Sequence, residues 1–381
     1  MSKPTKLPEG WKLVSLGEVG TLINGDRGKN YPSQKDFVDN GVPFINAGHI
    51  QNGEIDFESM NFISRKRFDL LGSGKVKSGD ILYCLRGSLG KTAIIKDIQE
   101  GAIASSLVII RPSEQIRTDY FYRYLASPIG QAEIYKYDNG SSQPNLSAQS
   151  LKQYQLPLPP IEEQRRIAAI LDKADGVRRK RKEAIRLTEE LLKSTFLEMF
   201  GDPVTNPKGW EVESLGDLVE FRTGKLDSNA AVENGRYPFF TCSRVPFSID
   251  EYAFDCEALL LAGNNASADY WVKHYKGKFN AYQRTYILNL KNERISYFYM
   301  QKALDLRLNE LKQSSRGTNT KYLTLTILKP IKIQLPNIEV QDKYEAFCRS
   351  QETQRGRLTQ AFEQSENLFN ALLQRAFRGE L

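Results

Sequence analysis

The chain repeats itself, and that repeat limits its fold more than any other feature of its 381 residues. Tyr120-Phe121-Tyr122 returns 177 positions later as Tyr297-Phe298-Tyr299. The same offset joins Gly140 to Gly317, Leu146 to Leu323, Leu151-Lys152 to Leu328-Lys329 and Leu158-Pro159 to Leu335-Pro336. It continues through Ile161-Glu162/Ile338-Glu339, Gln164/Gln341, Glu189/Glu366, Leu191/Leu368 and Phe200/Phe377. Nearer the start, Gly10-Trp11 and Ser15-Leu16-Gly17 return as Gly209-Trp210 and Ser214-Leu215-Gly216, now 199 positions on. The second copy is therefore 22 residues shorter inside. A duplicated plan of this size folds as two similar units.

Each copy has two parts. Residues 1–156 and 204–335 are rich in turn residues, Tyr, Phe, Val and Ile, with short apolar runs such as Ile81-Leu82-Tyr83 and Leu107-Val108-Ile109-Ile110. They read as mixed, β-rich α+β units, with helices expected over 118–126 and 295–304. Residues 157–203 and 336–381 open on proline (Pro157, Pro159, Pro160; Pro336), and no other follows before Phe200 in the first or anywhere in the second. They predict two helices of about 40 residues, the first starting near Ile161 and reaching Phe200. Their a/d positions are Ile167, Leu171, Ala174, Arg178, Arg181, Ile185, Thr188, Leu192, Thr195 and Met199, then Tyr344, Cys348, Gln351, Arg355, Leu358, Phe362, Ser365, Phe369, Leu372 and Ala376. This seam is apolar at its ends and polar in its middle. A surface helix packed on its own unit is the simpler alternative, but two matched helices favour pairing. Because the second unit hangs from the far end of the first helix, the pair is expected to be an antiparallel coiled coil with a globular unit at each end.

Composition narrows function by exclusion. No apolar run approaches the length of a membrane span, and Met1-Ser2-Lys3-Pro4-Thr5-Lys6 leads into no signal-peptide core. Cys84, Cys242, Cys256 and Cys348 lack metal or redox spacing, and only His49 and His274 are present, so the chain reads as a reduced, cytoplasmic protein. The net charge of +7 concentrates in the globular parts: +3 over 1–156 and +4 over 204–335, against +1 and −1 over the helices. Those parts are the expected polyanion-facing surfaces.

Arg86-Gly87-Ser88-Leu89-Gly90-Lys91-Thr92 ends like a phosphate-binding loop but has Leu85 where the motif needs glycine, and Ala93-Ile94-Ile95 continues as strand. It reads as a hairpin tip carrying two cations. No methyltransferase, Rossmann, GxSxG or HExxH signature is present, and Glu162-Glu163 and Glu189-Glu190 read as solvated helix faces. Catalysis by this chain alone is not expected. What the globular parts carry is polar, glycine-containing tips. Their candidate DNA contacts are Arg27, Lys29, Arg86, Lys91, Ser141 and Gln143 in the first, and Arg222, Lys225, Arg244, Asn264, Asn265, Gln283, Arg284, Arg316 and Asn319 in the second. Arg suits guanine edges and Asn or Gln adenine edges. Gly140-Ser141-Ser142 and Ser315-Arg316-Gly317 stand out because both copies have one before the helix.

Leu156-Pro157-Leu158-Pro159-Pro160-Ile161-Glu162-Glu163-Gln164, echoed by Gln334-Leu335-Pro336-Asn337-Ile338-Glu339-Val340-Gln341, resembles the specificity subunit of Type I restriction–modification enzymes. Trp11 and Trp210 near the start of each copy, and the close on Phe377-Arg378-Gly379-Glu380-Leu381, fit the same family. The resemblance implies target-recognition domains at 1–156 and 204–335, each reading half of a split site in double-stranded DNA. It implies conserved spacer helices at 157–203 and 336–381. Two methyltransferase subunits would dock on the helices and restriction/motor subunits would join them. S-adenosylmethionine, ATP and magnesium would then belong to the partners, and no cofactor to this chain. Thr188-Glu189-Glu190-Leu191 resembles the short repeat that family members duplicate to change spacing. The rivals are a coiled-coil scaffold whose ends bind proteins, and an autonomous nuclease or methyltransferase.

Overall fold

The computed structural model describes residues 7–96, 98–137, 146–265, 268–317 and 320–381. The chain divides into two compact units, one of 1–182 with 360–381 and one of 183–359. Each contains one globular part, the first half of its own long helix and the last half of the other.

Unit 1 holds two main sheets. In the antiparallel one, strands lie in the order Thr92–Ile94, Ile81–Cys84, Leu107–Pro112, Gly20–Asn24. The other runs Phe37–Val38, Asn61–Ile63, Val42–Ile45, Gly101–Ile103, Lys75–Val76. Unit 2 merges the plan into one six-stranded sheet: Val219–Thr223, Thr285–Leu290, Phe254–Ala262, Val272–Ala281, Tyr237–Phe240, Phe247–Ile249. Phe254–Ala262 and Val272–Ala281 form one long antiparallel ribbon from Phe254↔Phe279 to Leu261↔Val272. In unit 1 the matching ribbon is two short pairs, Gly101↔Val76 and Ile94↔Ile81, because the chain turns at Gly79, φ +87°. The buried Asp80 carboxylate secures that turn by accepting from the Lys77 amide (2.8 Å) and from Arg111 (2.8 Å).

The repeated residues are the joints of this plan. Leu16 and Leu215 are fully buried, and their amides donate to Tyr154 O (2.8 Å) and Ile331 O (2.7 Å). The glycines that follow, Gly17 and Gly216, lie so close to Lys152 and Lys329 that a Cβ would stand 3.3 and 3.0 Å from those side chains. Gln164 and Gln341 do the same work twice. Gln164 Nε2 donates to Gln115 O (3.0 Å) and Pro159 O (2.9 Å), and Oε1 accepts from Arg117 N (2.8 Å). Gln341 Nε2 donates to Arg294 O (2.9 Å) and Pro336 O (2.8 Å), and Oε1 accepts from Ser296 N (2.8 Å). Both amides are buried and bonded at both ends, which is what such groups require. Each clamps the start of a long helix to its globular part.

The long helices span Ile161–Phe200 and Ile338–Arg378. Glutamates in their first turns suit the helix dipole. Gly201 (φ +82°) and Gly379 (φ +74°) take the left-handed conformation that ends them. The shorter predicted helices occur at Thr118–Ala126 and, two residues later than expected, at Tyr297–Leu306, where Ser296 caps the first turn. Within unit 1 the two long helices run antiparallel: Arg178 pairs with Glu366 (2.6 Å) and Arg181 reaches Ala361 O. Within unit 2 they do so again, through Arg355–Glu189 (2.9 Å) and Tyr344 packed on Phe196.

The seam is less regular than its heptads. Ala168 and Leu373, which lie off the a/d positions, belong to the unit 1 core with Ile167, Leu171, Phe369, Ala376 and Phe377. Phe196 and Phe200 are likewise off the seam and fully buried in unit 2 against Tyr299 and Tyr344. Helix ends here pack on sheets and short helices as well as on each other, so the buried face is wider than a coiled-coil stripe. No helix of the described residues is long and apolar enough to cross a membrane.

Candidate nucleic-acid interface

The same backbone frame is built in both units. In unit 1, strand Ile81–Cys84 ends and Leu85 donates its amide to Ser106 O (2.8 Å), while Leu85 O accepts from Leu146 N (3.0 Å). In unit 2, strand Phe254–Ala262 ends and Gly263 donates to Arg284 O (2.9 Å), while Gly263 O accepts from Leu323 N (2.8 Å). Beside each frame, the first strand leaves through a glycine. A Cβ on Gly25 would stand 2.8 Å from Ala104 O, and one on Gly224 only 1.7 Å from Ala281 O. Neither site tolerates a side chain, so Asn24–Arg27 and Thr223–Asp227 are held against the loops at 104–106 and 281–284.

Around the unit 1 frame lies a cleft of about 480 Å³. Arg27 and Arg86 both line it, with Asn24, Gln149, Ser150 and Lys152. The Arg27 tip is ordered by Asp26, whose carboxylate accepts from Gly28 N (2.7 Å) and Gly72 N (2.8 Å) and is held below its ordinary pKa by those amides. Arg27 also reaches Ser105 O at 3.5 Å. Lys29 is exposed on the same tip but does not line the cleft. The expected hairpin is present, Ile81–Cys84 with Thr92–Ile94. Its two cations part company, however: Lys91 lines a second cleft, of about 320 Å³, with Asn52, Tyr122 and Gln131. Gly87 (φ +75°) and Gly90 (φ +80°) turn the tip, so its two ends face different sides. Ser141 and Gln143 lie outside the described residues.

In unit 2, Asn264–Asn265 pairs with Lys321–Tyr322, and Tyr322 exchanges backbone hydrogen bonds with Arg316 (3.1 and 2.9 Å). The Cys242 thiol donates to Asn264 Oδ1 (2.7 Å). Burial pushes that thiol's pKa up, so it stays a donor. Gln283 donates its amide to Leu226 O (2.9 Å) and its side chain to Asp227 (3.3 Å). Lys225, Arg284 and Arg316 are exposed in this group.

Two of the expected contacts have partners within the unit. Arg222 is no tip residue: it sits in strand Val219–Thr223, donates to Asn289 Oδ1 (2.7 Å) and lies over the Phe254 ring. Arg244 is paired with Asp269 (2.6 Å) on the surface. Asn319 lies outside the described residues. Gln149 and Lys152, not singled out from sequence, line the unit 1 cleft, and Lys321 stands opposite Asn265. Leu151-Lys152 was visible only as a repeat mark, and nothing local distinguishes its function from its packing on Gly17.

A second polar site leaves no local mark in the sequence. Asp175, buried on the first long helix, receives Arg123 (3.0 Å), Arg178 (2.7 Å) and Arg179 (3.0 Å). Burial pushes its carboxyl up, but hydrogen bonds from Arg178 and Arg123 and the charges of Arg123 and Arg179 outweigh burial and leave it below its ordinary value. Arg179 also reaches Glu54 (2.6 Å) and Asn52 O (3.2 Å), tying the Ile50–Gln51/Glu54–Ile55 hairpin to the helix.

Known proteins share this plan. The family profile of the Type I restriction modification DNA specificity domain matches residues 8–187 and 207–347. The chain is 35% identical over 179 residues to the Type I restriction enzyme EcoDI specificity subunit of Escherichia coli, over 46% of this chain and 39% of that one. It is 23% identical over 389 residues to the MjaIX specificity subunit of Methanocaldococcus jannaschii, over 90% and 87% of the two chains. Against the first two curated relatives it matches, it spans less than half their length, 39% and 46%. The crystal structure of a Type-I restriction-modification system S subunit from M. genitalium superposes over 99% of both chains with a TM-score of 0.62 at 16% identity, a likeness of fold. The two matched stretches follow the two copies of the repeat, and the chain belongs to the Type I restriction–modification DNA specificity family.

Proposed function

We propose that this chain is the DNA-reading subunit of a Type I restriction–modification complex in the cytoplasm. Each globular part reads one half of a bipartite duplex site, and the helix pair sets the gap. The observation that carries this reading is the duplicated frame at Leu85 and Gly263, which presents cationic and amide side chains from equivalent places in two otherwise divergent units. Phosphates would meet the exposed Lys and Arg of these loops, and base edges the Arg, Asn and Gln held between them.

The chemistry would belong to the partners. Two methyltransferase subunits would carry S-adenosylmethionine, and restriction/motor subunits would bring ATP and magnesium, leaving this chain non-catalytic. Exposed apolar side chains on the helices, Val177, Leu187, Leu191 and Leu368, support docking there. The division into recognition domains at 1–156 and 204–335 and spacers at 157–203 and 336–381 follows the repeat.

The test is to co-express the chain with its methyltransferase subunits in an unmethylated host and read modified bases genome-wide. A two-part motif with a fixed gap is expected. Binding of purified complex to duplex DNA should weaken steeply with salt. A salt-independent complex with protein ligands and no DNA affinity would favour the scaffold reading instead.

A further inference from the structure

Resting on that reading, the duplicated frame says more: it places one side chain of each unit in the same position, and the two differ. Leu85 and Gly263 have both backbone polar groups bonded to flanking segments, Leu85 to Ser106 and Leu146, Gly263 to Arg284 and Leu323. The residue that follows each emerges from a backbone fixed on both sides. In unit 1 that residue is Arg86, exposed and lining the cleft it shares with Arg27. In unit 2 it is Asn264, partly exposed and seated in the Asn264–Asn265/Lys321–Tyr322 pairing. Each is further steadied by a cysteine: Cys84 Sγ donates to Arg86 O (3.0 Å), and Cys242 Sγ donates to Asn264 Oδ1 (2.7 Å).

We infer that Arg86 and Asn264 are equivalent base readers, Arg86 for a guanine in one half-site and Asn264 for an adenine at the corresponding position of the other. A guanidinium fork matches guanine O6 and N7, two acceptors side by side. A carboxamide matches adenine N6 and N7, a donor beside an acceptor. The thiol occupies one lone pair of Asn264 Oδ1 and leaves the second for adenine N6, while Nδ2 carries two donors. A phosphate-binding role would not need a rigid backbone, since a flexible lysine neutralises charge as well. Arg284, Lys225 and Arg316 in unit 2 and Lys29 in unit 1 suit that role better, being exposed on the loops around the frame.

The experiment reads methylated motifs from the chain co-expressed with its methyltransferase subunits, wild type beside Arg86→Ala and Asn264→Ala. Arg86→Ala should let any base replace one guanine in one half-site, cutting discrimination at that position by about five-fold to about a hundred-fold. The other half-site should not change. Asn264→Ala should relax one adenine in the opposite half-site by a similar factor. An even loss of methylation at all sites with the motif intact would make these phosphate or structural contacts and overturn the inference. So would relaxation of an A·T pair by Arg86→Ala, of a G·C pair by Asn264→Ala, or of both halves at once. If a variant fails to assemble, the wild-type complex is measured on duplexes with 7-deazaguanine, which lacks N7. Affinity should fall for one guanine of the unit 1 half-site, and no loss at any guanine there overturns the assignment. A wild-type complex that yields no bipartite motif refutes the DNA-reading function itself, a distinct result.

Discussion

The two units solve one problem with different chemistry: how to fix a globular part to the helices that carry it. Unit 2 does it with aromatic rings. Phe196, Phe200, Tyr299 and Tyr344 form a cluster with centroid separations of 4.8–5.5 Å. Unit 1 keeps part of that cluster, Phe377 against Tyr120 and Tyr124, and adds the Asp175 network. At the repeat offset Asp175 corresponds to Glu352, which is exposed, while the matched caps Arg117 and Ser296 set Arg123 against Lys302, which pairs with Asp305 (3.6 Å). The duplication thus preserved positions and let their chemistry drift. Unit 1 also keeps the hairpin at 50–55 that Arg179 holds, in the stretch where the second copy is shorter. A polar clamp is directional and fixes the orientation of what it holds, whereas an apolar cluster mainly supplies free energy.

The strongest way to break the comparison is exchange. Replacing 204–335 with the corresponding part of another family member should replace one half of the methylated motif and leave the other intact. A change in both halves would show that the units do not read independently. Next comes spacing. Duplicating Thr188-Glu189-Glu190-Leu191 lengthens the first helix by about 6 Å, close to two base pairs of duplex. The same two half-sites should be methylated with a wider gap, and retention of the original gap would place the ruler elsewhere.

Stability separates the units further. Asp175→Asn leaves three arginines without their shared carboxylate, and should cost about 3 kcal/mol in denaturant unfolding, with loss of amide-exchange protection confined to unit 1. Glu352→Gln should cost less than about 0.5 kcal/mol. Because the folded state lowers the Asp175 pKa, its contribution is present above the unfolded value of about 3.9 and is lost as pH falls through the folded one. The gap between wild type and Asp175→Asn should therefore close below about pH 4, and a gap that widens there would refute the network. Gln164→Ala and Gln341→Ala should behave alike, each costing about 2 kcal/mol by leaving a buried amide donor and two carbonyls unpaired. Unequal costs would show that the clamps are not equivalent. Smallest of all, Arg355→Ala removes a half-exposed pair with Glu189 and should cost under about 1 kcal/mol.

The sequence by itself determined the duplication, the two long helices and their sense, because periodicity, proline stops and repeated residues are local signals that survive without coordinates. Ser15-Leu16-Gly17 and Gln164 were legible as repeats, though not as a buried joint and a helix clamp. Tertiary structure alone decided which cations share a site. Arg86 and Lys91 are neighbours in the chain yet line different clefts, while Arg27 and Arg86, far apart in the chain, line one. It also decided that Arg222 belongs to a strand, that Ala168 and Leu373 face a core, and that Asp175 gathers three arginines. These are outcomes of long-range pairing, in which a side chain's surroundings depend on segments a hundred residues away, and no local pattern records them.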